Sequence, residues 1–407
     1  MRISQVILFL SGAIAALTCI NIASAASNCD SNIPEENVVL YVGAYTRIEP
    51  HVNGSAKGLS TFSFNPKDGS LTYLNVTDVG VNPTFVLGKT INDGKKQIIY
   101  VNNESNDNST SSPSGTTGYV VALEVTGPGQ LKVLGRRETM GANPVHVSLS
   151  PNEDVLAASV YGGGAVVLYP VNEDGSLAPA SDAHYYPGPG SLVNPARQDS
   201  SHMHSTTWVP GSDVVFAPDL GTDRIVQYKF DEVNQKFDNT TFPIVKRAPG
   251  SGPRHMDIHP SGKIAYVVDE FGNHVGVYIL NKDKSLPATA IQNISALPAD
   301  FTGSSDSADI HVTKDGQFVY TSNRGHNSIS IFKVKSQEDG TLELIGHESS
   351  RGAFPRSLLL YKGFLLVSNQ NSDNIEVFRR NADGTLTHTG HSAKSSSPVG
   401  LYIAPTI

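Results

Sequence analysis

"GPRHMDIHPSGKIAYVVDEFGNHVGVYILNKDKSL", residues 252–286, decides the architecture of this chain. It reads as a strand, a Pro-Ser-Gly turn, a second apolar strand, a polar turn, a third strand, and a "DKSL" corner leading to a fourth. The same plan recurs in "NPVHVSLSPNEDVLAASVYGGGAVVLYPVNEDGSL" from Asn143 and "SADIHVTKDGQFVYTSNRGHNSISIFKVKSQEDGTL" from Ser307. It recurs again in "FPRSLLLYKGFLLVSNQNSDNIEVFRRNADGTL" from Phe354 and "MHSTTWVPGSDVVFAPDLGTDRIVQYKFD" from Met203. "NPTFVLGKTINDGKKQIIYVNNES" from Asn82 is a looser copy. Four-stranded units repeating along a chain are the mark of propeller blades. The chain opens mid-unit, with "VVLYVGAYT" matching a second strand and "GLSTFSFNPKDGSLTYL" a third and fourth. Near its other end "SPVGLYIAP" matches a first strand with nothing after it. A C-terminal strand completing the N-terminal blade gives an all-β, seven-bladed propeller over residues 36–407, with no open edge between first and last blades.

Composition agrees. The 407 residues are 39% hydrophobic and 17% charged, with 37 Gly and 24 Pro, as many short strands joined by turns require. A net charge of −8 without a dense Lys/Arg cluster argues against nucleic-acid binding. Residues 1–25 carry one charge, Arg2, an apolar run from Val6 to Ile22 and the small residues Ala23, Ser24 and Ala25. They read as a secretory signal cut after Ala25, leaving a short tail over 26–35 and no membrane anchor. An uncleaved anchor is the alternative, disfavoured by Ser11, Gly12 and Asn21 within the run. Cys19 lies in that segment, so Cys29 has no partner for a disulfide in the mature chain. Six N-x-[ST] sequons, at Asn53, Asn75, Asn103, Asn108, Asn239 and Asn293, fit a glycosylated, extracellular protein. Two insertions interrupt the repeat. Residues 102–118 read as a polar, low-complexity, mobile loop, and 185–202 as a surface loop long enough to rim the face carrying His204.

Repeats superimpose, so equivalent positions can be compared. The residue after the first-strand Pro runs Thr84, Val145, His204, Arg254, Ala308, Arg356, Val399; the next runs Phe85, His146, Ser205, His255, Asp309, Ser357, Gly400. At the end of the second strand Val160, Asp219, Asp269, Asn323 and Asn369 read as structural, their side chains bonding the following turn. The position beyond runs Tyr45, Tyr161, Leu220, Glu270, Arg324, Gln370. First strands begin, and second strands end, at one face of the ring, so His204, Arg254, Glu270, Arg324 and Arg356 converge there. An Arg254–Glu270 pair alone would suit a structural ion pair. The excess of arginine argues instead for an anionic ligand, since buried unpaired charge costs several kcal/mol.

At these residues the chain resembles the seven-bladed lactonases, a family that includes bacterial-type 6-phosphogluconolactonases and fungal carboxy-cis,cis-muconate cyclases. "GSGPRHM" (250–256), "HSTTWVP" (204–210), "SADIHVTKDG" (307–316) and "FPRSL" (354–358) carry the resemblance, which extends over residues 36–405. It implies catalytic roles for His204, Arg254, Glu270 and Arg324, the His, two Arg and Glu proposed in the cyclase branch. His255, Asp309, Arg356 and Gln370 are expected to bind substrate, a small anionic lactone or a polycarboxylate. Three activities stay open: lactone hydrolysis with His204 or Glu270 activating water, the reverse cyclisation, and ligand binding without catalysis. No metal or other cofactor is expected, no G-x-S-x-G occurs, and a closed ring suggests a monomer.

Overall fold

The computed structural model describes residues 36–404; the expected signal at 1–25, the tail at 26–35 and both cysteines lie outside the described residues. Every regular element among the described residues is a strand. Seven antiparallel blade sheets follow one another along the chain, each with four strands except the fourth, which adds Val245–Lys246 as a fifth, and a separate two-stranded hairpin pairs Ile48–Glu49 with Val52–Asn53. Ring closure is as expected: Pro398–Ile403 pairs with Val38–Ala44, in the register Leu40↔Ile403 and Tyr41↔Tyr402.

The core is a set of slabs between neighbouring blades. Phe62 and Phe64 of blade 1 pack on Phe364 and Leu366 of blade 7, and Ile98 and Tyr100 of blade 2 meet Leu156 and Ala158 of blade 3. Second strands such as Val155–Val160, Ile264–Asp269 and Phe364–Asn369 are buried at every residue, because both faces of each blade are covered. Outer strands such as Leu71–Thr77 are largely exposed. The recurring D-G-x-L corner has a partner in the preceding blade. Tyr100 Oη donates to Gly175 O at 2.8 Å, Tyr266 Oη to Gly340 O at 3.1 Å and Tyr320 Oη to Gly384 O at 2.8 Å.

Residues 102–118 depart from expectation. Residues 102–108 belong to the strand Lys96–Asn108 and 116–118 begin Thr116–Gly127, with Asp107 paired to Thr117 and Asn108 to Thr116. Much of the polar segment is a hairpin, with ladder pairing at Asn102, Asn103, Asp107 and Asn108 satisfying backbone that its composition left unassigned. The sequon reading fails at Asn103, which is buried and donates from Nδ2 to Val81 O at 2.8 Å. Asn53, Asn75, Asn108 and Asn293 are exposed, and Asn239 is partly so.

Candidate active site

A β-bulge aims the variable residues. In blades 3, 5 and 7 the first-strand Pro pairs with the last residue of the second strand, in blade 2 Pro83 pairs with Asn103 inside its longer strand, and in all four the register then slips by one. Thr84, Val145, Arg254 and Arg356 are the unpaired residues at those slips. A bulge turns one side chain out of the alternation, here toward the axis of the ring. In blade 4 His204 lies between the bridge Met203↔Asp219 and the pair Thr207↔Phe216, held by its amide on Pro218 O at 3.0 Å. In blade 5 the amide of Glu270 bonds Gly252 O at 2.7 Å. Gly252 has φ +61°, and a Cβ there would meet the Phe271 ring at 2.5 Å. Glycine is needed at that corner to present Arg254 and Glu270 side by side.

A pocket of about 260 Å³ opens at this end of the ring, lined among others by His204, Glu270, Arg324 and Arg356. Below it, Arg254, His255, His204 and Arg356 border a chamber of about 20 Å³. Glu270 anchors the arrangement. Its Oε1 accepts from Arg197 Nη2 at 2.9 Å, and its Oε2 accepts from Arg254 Nε at 2.9 Å and faces Arg324 Nη2 at 3.0 Å. Burial alone would favour the neutral acid, but the guanidiniums of Arg324, Arg197 and Arg254 outweigh it and hold the carboxyl well below the usual range. A carboxylate so saturated is a counter-ion, not a base.

His204 is the opposite case. It is 4% exposed, and its Nδ1 has no hydrogen-bond partner. Burial, then the charge of Arg254, pushes its proton affinity well below the imidazole range, so the ring stands neutral among cations. Tyr161 and His255 pack against it edge-on, with ring centroids at 5.7 and 5.2 Å. Arg356 has no carboxylate within ion-pair distance among the described residues; its Nη1 donates to Gln370 Oε1 at 3.2 Å and its guanidinium lies over the Tyr45 ring. Arg324 spends its donors on Glu270 and on the carbonyls of Asp306 and Ser307, at 3.3 and 3.1 Å.

Of the expected ligand contacts, Asp309 and Gln370 border neither cavity, and His255 borders only the small chamber. Asp309 Oδ1 takes His255 Nδ1 at 2.8 Å and the Ile310 amide at 3.0 Å, while Oδ2 takes Ser357 Oγ and the Leu358 amide, both at 2.9 Å. His255 thereby donates through Nδ1 and accepts from Arg254 Nη1 at Nε2, 3.2 Å away. Burial, with Arg254 next, pushes it down to about 4. Asp309, through the His255 ring, thus orients Arg254. Gln370 is buried and serves Arg356 from the side. Arg197 and Glu104, by contrast, line the pocket and escaped the column comparison. Arg197 comes from the 185–202 insertion, which is no bare surface loop: Gln198 Nε2 ties it to Leu220 O and Asp223 Oδ1, and His202 stacks on Tyr161 at 4.2 Å.

With this geometry in hand, the likenesses to known proteins are specific. The family described as Lactonase, 7-bladed beta-propeller, matches residues 39–403. A 6-phosphogluconolactonase of Bacillus subtilis is 34% identical over 354 residues, covering 85% of this chain and 93% of that protein. A 6-phosphogluconolactonase of Formosa agariphila is 32% identical, covering 84% and 93%. The periplasmic gluconolactonase of Pseudomonas aeruginosa superimposes with a TM-score of 0.80 at 29% identity, covering 91% of this chain and all of that one. The chain therefore belongs to the seven-bladed β-propeller lactonase family.

Proposed function

We propose that this chain hydrolyses a small anionic lactone in the pocket bounded by His204, Glu270, Arg324 and Arg356. The observation that carries the reading is a buried His204 whose Nδ1 has no hydrogen-bond partner, set among guanidiniums, one of which, Arg356, has no carboxylate within ion-pair distance among the described residues. Arg356 and the outer face of Arg197 receive the phosphate or carboxylate of the substrate through charge-assisted bonds. His204 takes a proton from water as its oxygen bonds the lactone carbonyl carbon. The guanidiniums of Arg254 and Arg324, fixed by Glu270, face the oxyanion that forms. Glu270 holds these cations together while they are dry. Among the described residues no group of His, Cys, Asp or Glu is suited to hold a metal, and no step is routed through one. The bacterial relatives named 6-phosphogluconolactonases support a sugar lactone, phosphorylated or not, as the substrate class.

A pH-stat panel tests this: glucono-δ-lactone, its 6-phosphate and muconolactones, with wild type beside Glu270→Gln and Arg254→Ala. Acid release by wild type, lost in both variants, is the expected result. Turnover of the muconolactones alone would move the assignment to the cyclase branch. Activity unchanged by both substitutions would remove the site. On the same footing we propose export of a monomer, supported by residues 1–25 and by the periplasmic location in the Pseudomonas aeruginosa protein's name. N-terminal sequencing of the secreted chain is expected to begin after Ala25.

A further inference from the structure

Glu104 has no part in the scheme above, yet its place in the fold matches that of Glu270. Pro83 pairs with Asn103 in blade 2 as Pro253 pairs with Asp269 in blade 5. The next residues, Glu104 and Glu270, thus hold one register position in blades on opposite sides of the ring, and both line the same pocket. Their surroundings differ. Glu270 meets three guanidiniums. The side-chain partners of Glu104 are hydroxyls: Tyr45 Oη lies 3.0 Å from each oxygen, and Thr84 Oγ1 is 2.9 Å from Oε2. Burial raises its proton affinity, opposed only in part by Arg356 and by those hydroxyls. Two carboxyls in one site whose surroundings pull their proton affinities apart divide the roles of acid and fixed anion.

Two further observations bear on the role. Glu104 and His204 both border the chamber of about 20 Å³ below the pocket, room for a single water. The Tyr45 hydroxyl that donates to Glu104 also lies 3.1 Å from His51 Nε2, and His51 is exposed. With His51 Nε2–H donating to Tyr45 Oη, a two-step hydrogen-bonded path joins the buried carboxyl to solvent.

We infer that Glu104 is the general acid of lactone opening, giving its proton to the ring oxygen as the acyl C–O bond breaks. The inference rests on the hydrolase reading. In the balanced sequence, water adds through oxygen to the carbonyl carbon and its proton goes to His204. The tetrahedral oxyanion collapses, the ring C–O bond breaks, and the leaving alkoxide takes the Glu104 proton. The proton on His204 then leaves and one returns to Glu104 along His51 and Tyr45. One water is consumed and one hydroxy acid formed.

A general acid matters in proportion to the basicity of the leaving oxygen. Glu104→Gln keeps the shape and an acceptor for Tyr45, and loses only the transferable proton. Wild type and Glu104→Gln are compared on glucono-δ-lactone, which leaves as an alkoxide, and on dihydrocoumarin, which leaves as a phenoxide. Expected is a fall in kcat of about 100-fold or more on the sugar lactone, with KM held, and a fall of less than about 5-fold on dihydrocoumarin. Wild-type rates for Glu104→Gln on both would overturn the inference and leave the hydrolase reading standing. Equal losses on both would make Glu104 a scaffold residue and also overturn it. A wild type that opens neither lactone, nor the 6-phosphate, takes down the hydrolase reading and the inference with it.

Discussion

Glu270 shows how one carboxylate can be indispensable without reacting. Its neighbours Arg254 and Arg324 are 3% and 4% exposed, so removing their shared counter-ion leaves guanidiniums dry and uncompensated. Breaking a buried pair from one side typically costs about 3–5 kcal/mol. Glu270→Gln is therefore expected to lower stability by an amount in that range at pH 7, read by urea unfolding. The pH dependence carries the sign. The folded-state proton affinity of Glu270 is depressed, so its contribution is complete above the unfolded carboxylate value and is lost as pH falls below it. Wild type and Glu270→Gln should differ most at neutral pH, and the gap should narrow progressively as pH falls below the ordinary carboxylate range. A gap that widens on acidification would contradict the counter-ion role. The set His204, Arg254, Glu270 and Arg324 was legible because each departs from its column in the repeat. Glu104 stands in that column too. It was hidden by neighbours such as Asp107 and Asn108, whose composition resembles disorder while their backbone is paired.

Two kinds of element deliver these side chains, and only one leaves a trace in the repeat. The Pro-led first strand is visible as a motif, but the bulge behind the Pro is a property of pairing between two strands, so no single strand reveals it. The 185–202 segment has no counterpart in other blades, and nothing in its residues alone says where Arg197 goes. The structure makes it a braced rim. The Asp219 carboxylate accepts from Ser201 Oγ at 2.8 Å and the His202 amide at 2.7 Å, and Arg197 Nε reaches Tyr161 Oη at 3.2 Å. The Arg197 side chain is 39% exposed, so its pair with Glu270 contributes little to stability, and two other guanidiniums remain on that carboxylate. Arg197→Ala is expected to shift Tm by less than about 3 °C, as a change below about 1 kcal/mol does in a large domain. It should raise KM for a phosphorylated lactone by about tenfold, the equivalent of about 1.4 kcal/mol of lost ligand contact. Unchanged KM would make the rim a brace for Tyr161 and nothing more.

At the scale of the molecule, the ring has to be closed before any of this geometry exists. The repeat made the blade count readable, because the units follow one order of strands and turns, most closely from Asn143, Gly252, Ser307 and Phe354. Closure followed from one orphan strand at the C-terminal end and a blade short of a strand near the N-terminal one. The structure adds what holds the closure. Leu401 and Ile403 join Val38, Phe62 and Phe364 in the slab between blades 7 and 1, and Val399 packs with Tyr45 and Val52 beside the pocket. Ser368 Oγ of blade 7 bonds Val399 O, and a Cβ on Gly400 would meet Thr84 O of blade 2 at 2.8 Å. One strand thus touches three blades. Burying its Val, Leu and Ile contributes roughly 1.5–3 kcal/mol each, which together is comparable to the stability of about 5–15 kcal/mol typical of a whole domain. A chain ending at residue 397 would also leave Val38–Ala44 as an unpaired, fully apolar edge, a template for aggregation. It is expected to melt at least about 10 °C below the intact chain, to lose lactone turnover, and to associate in sedimentation. A synthetic 398–404 peptide added in trans should restore part of the melting temperature, because the groove it enters is formed by strands that remain. If the shortened chain melted within about 3 °C of the intact one and stayed monomeric, the ring would be held by its inter-blade slabs alone, and the C-terminal strand would be a seal, not a clasp.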